Sequence, residues 1–329
     1  MHGRIWRVHF PGRPLDKLPD FAAASTEQLI SMLEDQSFAV RQFARQYLWP
    51  KVAEDADAVI AAVVRWRDAA ETAELKASRA LEHQWLGEVA GKFAADSFEL
   101  IAAGPSGPST RPSLRSAVRS GGHSNEAVSA RIVAASLGDD DALRLEAVVA
   151  LGQVGGGEAV VAAARTLIAA AERHRNSPDP TLDFALSQSL RTLSATWVRA
   201  LREGRLDWQP NAGGLAFAVS ATGSGEAADA VLPLLASDQL SAVQKQLLIE
   251  TIAASGDPQA LGKLLTIALA SGGDSSNNQS LGTVAAKTLE QLVQQTQRDR
   301  GAIPADAAKL LAERFASIDC LLSMPNKTT

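Results

Sequence analysis

Ala142-Leu143-Arg144-Leu145-Glu146-Ala147-Val148-Val149-Ala150-Leu151 decides the fold, because the same pattern returns elsewhere in the chain. It lies without gaps over Ala39-Val40-Arg41-Gln42-Phe43-Ala44-Arg45-Gln46-Tyr47-Leu48, and Ala242-Val243-Gln244-Lys245-Gln246-Leu247-Leu248 lies over both. In the first copy, apolar residues at 40, 43, 44, 47 and 48 form one stripe at helical spacing, and Pro50 is expected to end the helix. The second copy is followed by Gly152-Gln153-Val154-Gly155-Gly156-Gly157-Glu158-Ala159-Val160, and the third by Gly256-Asp257-Pro258-Gln259-Ala260-Leu261. Gly223-Ser224-Gly225-Glu226-Ala227-Ala228 repeats the cadence. Each reads as a helix end, a glycine turn and a new helix opening on a small residue and an acid, which suits the positive end of the helix dipole.

Helix–turn–helix units that recur cannot bury their apolar faces alone, so neighbours must stack. Asp141-Ala142-Leu143-Arg144 with Ala147, and Ala39-Val40-Arg41 with Ala44, resemble the second helix of HEAT repeats, which opens on Asp, a small apolar residue, Arg and then Ala. The resemblance implies an all-α chain, an α-solenoid of HEAT-like helix pairs. At roughly 40 residues per pair it would hold about six to eight pairs. It implies a non-catalytic scaffold or protein–protein interaction module whose partner is another protein.

Composition agrees with a helical chain. Of 329 residues, 46% are hydrophobic but only 5% aromatic, with one Tyr, and alanine dominates the apolar set. Strands favour β-branched and aromatic residues, helices Ala and Leu. The net charge of −5 argues against a dedicated nucleic-acid binder. The lone Cys320 excludes an intrachain disulfide and a Cys-based metal cluster. The apolar stretch from Ala147 to Ala171 is broken by glycines, Glu158 and Arg165, so it reads as buried helices and not as a membrane span. Met1-His2-Gly3-Arg4-Ile5-Trp6-Arg7 lacks the apolar core of a signal peptide, so the chain by itself reads as cytoplasmic.

Three regions are expected along the chain. Residues 1–24, with Ile5, Val8 and Phe10 among Arg and His and prolines at 11, 14 and 19, form an extended strand and linker. Residues 25–322 form the helical array, opening on a capping box with Ser25 as N-cap and Gln28 three residues on. Residues 323–329 form a disordered tail. Gly104–Pro112 and Ser271–Asn278 are read as loops inside the array.

A more specific likeness rests on Gly3-Arg4-Ile5-Trp6-Arg7-Val8, Gly12-Arg13-Pro14, Ser25–Leu29 and Val40-Arg41 with Ala44. Asp179–Gln188, Leu190-Arg191, Leu193, Trp197 and Gly204-Arg205-Leu206-Asp207 extend it. These stretches resemble the junction and HEAT array of large bacterial PVC-type proteins, in which the array lies between a propeller dehydrogenase and a c-type haem domain. The resemblance implies the spacer of a larger, exported redox protein. Neither chemical end is carried over: only one propeller strand is present, and Cys320 is followed by Leu-Leu-Ser in place of a second Cys and His.

No cofactor, metal or catalytic constellation is read from the residues, so the chain is not expected to be an enzyme. Gly223–Ala228 imitates a dinucleotide turn but sits between alanine-rich helices, without the strand and ribose-binding acid that the turn requires. Gly152–Gly157 lacks the Lys and Ser/Thr of a phosphate loop. The five histidines (2, 9, 83, 123 and 174) form no pair at i, i+3 or i+4. His83 reads as a surface or interhelix residue and His174 as part of a solvated helix end. Asp139-Asp140-Asp141 and Asp179/Asp183 read as N-caps and dipole partners. The candidate interaction surface is Arg41, Arg144, Arg191 and Trp197. Together with Arg202 and Trp66, Trp85 and Trp208, these could instead line a groove for nucleic acid, as in DNA glycosylases built of HEAT-like repeats, or serve the fold, the arginines pairing with acids of the neighbouring repeat and the tryptophans filling gaps between layers. The alternative function is therefore a nucleic-acid-binding protein.

Overall fold

The computed structural model describes residues 17–103, 110–176, 178–235, 240–255, 260 and 262–264. The predicted strand at Ile5–Phe10, the Ser271–Asn278 loop, the glycine turn after the third copy, the tail and Cys320 lie outside the described residues. Among the described residues the structure is all-helical, with fourteen α-helices and two 3-10 turns. The chain divides into two compact units, Met1–Ser109 and Thr110–Thr329.

The first unit holds α1 (Thr26–Ser31), α2 (Phe38–Glu54), α3 (Ala56–Asp68), α4 (Ala73–Val89) and α5 (Ala95–Ala103). The capping box forms as expected: Ser25 Oγ accepts the Gln28 N–H at 3.2 Å, and Gln28 Oε1 accepts the Ser25 N–H at 2.8 Å. Two expectations for α2 need correction. The helix passes through Pro50 and ends at Glu54. Its buried residues, Val40, Ala44, Leu48 and Val52, recur every four positions, so burial of Val52 carries the helix beyond the proline, whose ring sits on the exposed side. The buried stripe is also narrower than the sequence suggested. Phe43 and Tyr47 are exposed and lean on Phe21, with ring centroids 5.4 and 5.7 Å apart. The stripe packs with Leu29, Ile30, Leu33, Val59, Val63 and Leu86 in one core.

The second unit holds α6 (Thr110–Arg119), α7 (Glu126–Ser136), α8 (Asp141–Leu151), α9 (Gly157–His174), α10 (Pro180–Thr192), α11 (Ser194–Arg202), α12 (Ala212–Thr222), α13 (Gly225–Leu235) and α14 (Ala242–Ser255). Thr110, Arg111 and Pro112, read from sequence as loop, form the first turn of α6. Proline is tolerated there because the first-turn N–H groups have no partner within the helix. Contacts follow an alternating order. The helices α6, α8, α10, α12 and α14 each touch the next in that series, as do α7, α9, α11 and α13, and contacts between α7 and α8, α9 and α10, and α13 and α14 join the two series. The glycine turns behave as read: Gly156 at φ +88° precedes α9, and Gly223 at φ +58° closes α12.

A further extensive contact, outside the alternating order, joins α9 and α12. A Cβ on Gly214 would lie 2.0 Å from the Ile168 carbonyl oxygen, and one on Gly213 would collide with Arg175 and Glu172. Asn211 provides no side-chain cap for α12; instead Glu172 Oε2 accepts the Gly214 N–H at 2.6 Å. Gly214→Ala is expected to destabilise the chain by about 1–3 kcal/mol, because backbone must move to admit the methyl group. Gly155→Ala, where an added Cβ meets nothing within 4 Å, is expected to leave stability within about 0.5 kcal/mol. Urea unfolding of the two variants checks the contrast.

Candidate functional site

The arginines singled out by the repeat pattern all bind backbone carbonyls. Arg144 Nη1 donates to the Gly138 carbonyl at 2.8 Å, and its Nη2 pairs with Asp141. Arg41 Nη1 donates to the Asp35 and Gln36 carbonyls at 2.5 and 3.0 Å. In both aligned copies, therefore, the guanidinium reaches six residues back to the chain leaving the preceding helix, where carbonyls lack helical partners. The third copy has Gln244 at this position, which forms a capping box with Ser241 (2.9 and 3.3 Å). Arg191 Nε and Nη2 both donate to the Ala221 carbonyl in the last turn of α12, at 3.1 and 2.9 Å. Arg202 donates to the Glu226 carbonyl at 3.0 Å.

Trp197 corrects the sequence reading. It is fully buried, and its indole N–H donates to the Leu190 carbonyl at 2.9 Å, so it is a core residue and no part of an exposed surface. Trp208 is buried too. In the first unit Trp66 and Trp85 carry the guanidinium groups of Arg79 and Arg45, at 4.8 and 5.0 Å from the ring centroids. Those arginines also bind Glu34 and Glu82.

One open cleft of about 420 Å³ lies in the second unit, lined by Asp139, Asp141, Arg144, Arg173, His174 and Asn176. Asp140, the middle acid of the run, caps α8 by accepting from the Ala142 and Leu143 N–H groups, both at 3.0 Å. Its neighbours are paired as well: Asp139 with Arg173 of α9 across the cleft, and Asp141 with Arg144 one turn along α8. His174 is buried, not solvated as expected. Its Nε2 lies 2.9 Å from Asp183 Oδ1, and its Nδ1 has no hydrogen-bond partner. Asp179 caps α10 through the Leu182 and Thr181 N–H groups, which hold its carboxyl below the usual range. The cleft thus offers two guanidinium–carboxylate pairs of cancelling charge, which suit hydrogen bonding to a polar surface better than attraction of one sign of charge. Among the described residues no three His, Cys, Asp or Glu side chains are placed to hold a metal ion.

Of the four predicted surface residues, the structure brings Arg144 alone to this cleft. Arg173, His174 and Asn176 were missed because they join it from about 30 residues away, through the packing of α9 near the turn before α8. No family model matches the chain, and no curated protein matches it.

Truncating a buried core indole should be costly, whereas truncating a surface one should not. Trp197→Ala is expected to lose about 3–5 kcal/mol of unfolding free energy, and Arg191→Ala about 1–2 kcal/mol through its two charged hydrogen bonds. Chemical denaturation that found Trp197→Ala within experimental error of the parent would overturn the burial argument.

Proposed function

We propose that the chain is a non-catalytic scaffold, an α-solenoid of HEAT-like helix pairs that binds a protein partner. The observation that carries this reading is the shared use of Arg144 and Arg41. At aligned positions of the repeat, each ties its own helix to the end of the helix before it. A residue with that job belongs to a repeated structural unit. The alternating contact order of α6 to α14 supports the same reading, because stacked helix pairs bring every second helix together. The guanidinium groups that a nucleic-acid groove would need are engaged with backbone and carboxylates, and Trp197 lies in the core.

A stacked array couples mainly nearest neighbours. Gly214→Ala in the full chain is therefore expected to raise amide exchange in α9, α10, α12 and α14 and to leave α6 and α7 close to the parent. Uniform loss of protection across the second unit would contradict the repeat reading. For the function itself, the full chain is used to capture partners from its native host, with protein and nucleic acid both identified in the eluate. A stoichiometric protein that survives nuclease and moderate salt is the expected result. Capture that nuclease abolishes would favour the nucleic-acid alternative.

The spacer role in a larger redox protein rests on the sequence likeness alone. The flanking genomic sequence tests it: a propeller reading frame upstream and a Cys-x-x-Cys-His frame downstream are expected, and absence of both overturns it.

A further inference from the structure

A polar cluster inside the first unit joins three helices. Arg67 of α3 and His83 of α4 are buried, and Ser97 of α5 has no exposed surface. Arg67 Nη1 donates to Asp96 Oδ2 at 2.5 Å and to Ser97 Oγ at 2.8 Å, which uses both its hydrogens. Arg67 Nε and Nη2 donate to the Asp68 carboxylate at 2.9 and 3.2 Å. His83 Nδ1 lies 2.7 Å from Ser97 Oγ and 3.3 Å from Arg67 Nη1.

These contacts decide the histidine's protonation. A guanidinium only donates, so an Nδ1 that faces both it and the Ser97 hydroxyl is the unprotonated nitrogen. Ser97 accepts from Arg67 and passes its own hydrogen to His83, leaving the ring neutral with its proton on Nε2. A second proton, on Nδ1, would reverse the serine hydrogen bond and set a second cation 3.3 Å from a buried guanidinium nitrogen. Asp96 Oδ1, 4.0 Å from Nδ1, would attract that proton, but the Asp96 and Asp68 carboxylates already bind Arg67. On its own helix Lys76 reaches Asp68, and Arg45 from α2 is bound to Glu82.

We propose that Arg67, His83, Asp96 and Ser97 form a proton-operated latch that ties α3, α4 and α5 together while His83 is neutral and loosens when it is protonated. The balance of forces agrees with the geometry. Burial pushes His83 below the ordinary histidine value of 6.5; Asp96 opposes this and Arg67 adds to it. Burial works against the Asp96 carboxylate, but Arg67 outweighs it and holds that carboxyl low. Above pH 6.5 folded and unfolded chains both carry a neutral His83. Below it the unfolded chain takes a proton that the folded one resists, so this contribution to stability is lost as pH falls.

The test uses the full chain. The His83 ring is followed by NMR titration, with its tautomer read from nitrogen shifts, and amide exchange in α3 to α5 is compared at pH 7.5 and 5.5. Expected are titration below pH 6.5, an Nε2–H tautomer, and opening of α3 to α5 that grows up to about tenfold at pH 5.5 once intrinsic exchange rates are corrected. His83→Asn, which keeps an acceptor near Nδ1, should remove that growth, and the readout over α3 to α5 separates it from the other histidines. Titration at or above 6.5, an Nδ1–H tautomer, or unchanged pH dependence in the variant would each overturn the latch. If the variant does not fold, the titration and tautomer of the parent chain decide.

Discussion

Every α-helix leaves backbone groups without partners, four N–H at one end and four C=O at the other, and the described residues of this chain are mostly helix. Satisfying those ends is the constraint on which the rest depends. The chain does it with side chains from both near and far. Ser25, Asp55, Thr72, Asn125, Asp140 and Asp179 cap the helices that follow them. Arg41, Arg144 and Arg191 bind carbonyls at or just past helix C-termini, and Glu172 caps α12 from another helix altogether. Residues that look like binding groups in the sequence are thus largely consumed in holding the fold.

What could be read in advance was local. A capping box, an Asp before a helix and a glycine after one act within a few residues, so Ser25, Asp140 and Gly223 stand where the sequence suggests. What could not be read was decided by packing across the chain. Pro50 does not end α2 because Val52 beyond it is buried. Phe43 and Tyr47 lie at the rim of the core against Phe21, a buried residue that precedes the helix. His174 resembles a surface residue in Glu-Arg-His-Arg-Asn, yet it lies under α10 beside Asp183. The site followed the same division: Arg144 is legible as a repeat position, whereas Arg173, His174 and Asn176 belong to another helix.

Among the described residues, His83 and His174 are buried, and they show how environment separates identical side chains. His83 faces a guanidinium and a hydroxyl, so its free lone pair is an integral part of the packing. His174 faces a carboxylate and lines an open cleft. The first is suited to sensing protons from inside the fold, whereas the second stands at the wall of a polar cleft.

The joint between α9 and α12 bears on how such a chain can evolve. Interchangeable repeats can be duplicated or lost because each meets its neighbours through the same surfaces. Here two adjacent glycines, a carbonyl of Ile168 and the carboxylate of Glu172 fit one another closely. Insertion of a helix pair between them would part the carboxylate from the helix it caps, and deletion of α10 and α11 would remove the span that brings them together. The number of helices between α9 and α12 is therefore tied to a fitted joint, and change falls more easily on the turns and the exposed faces.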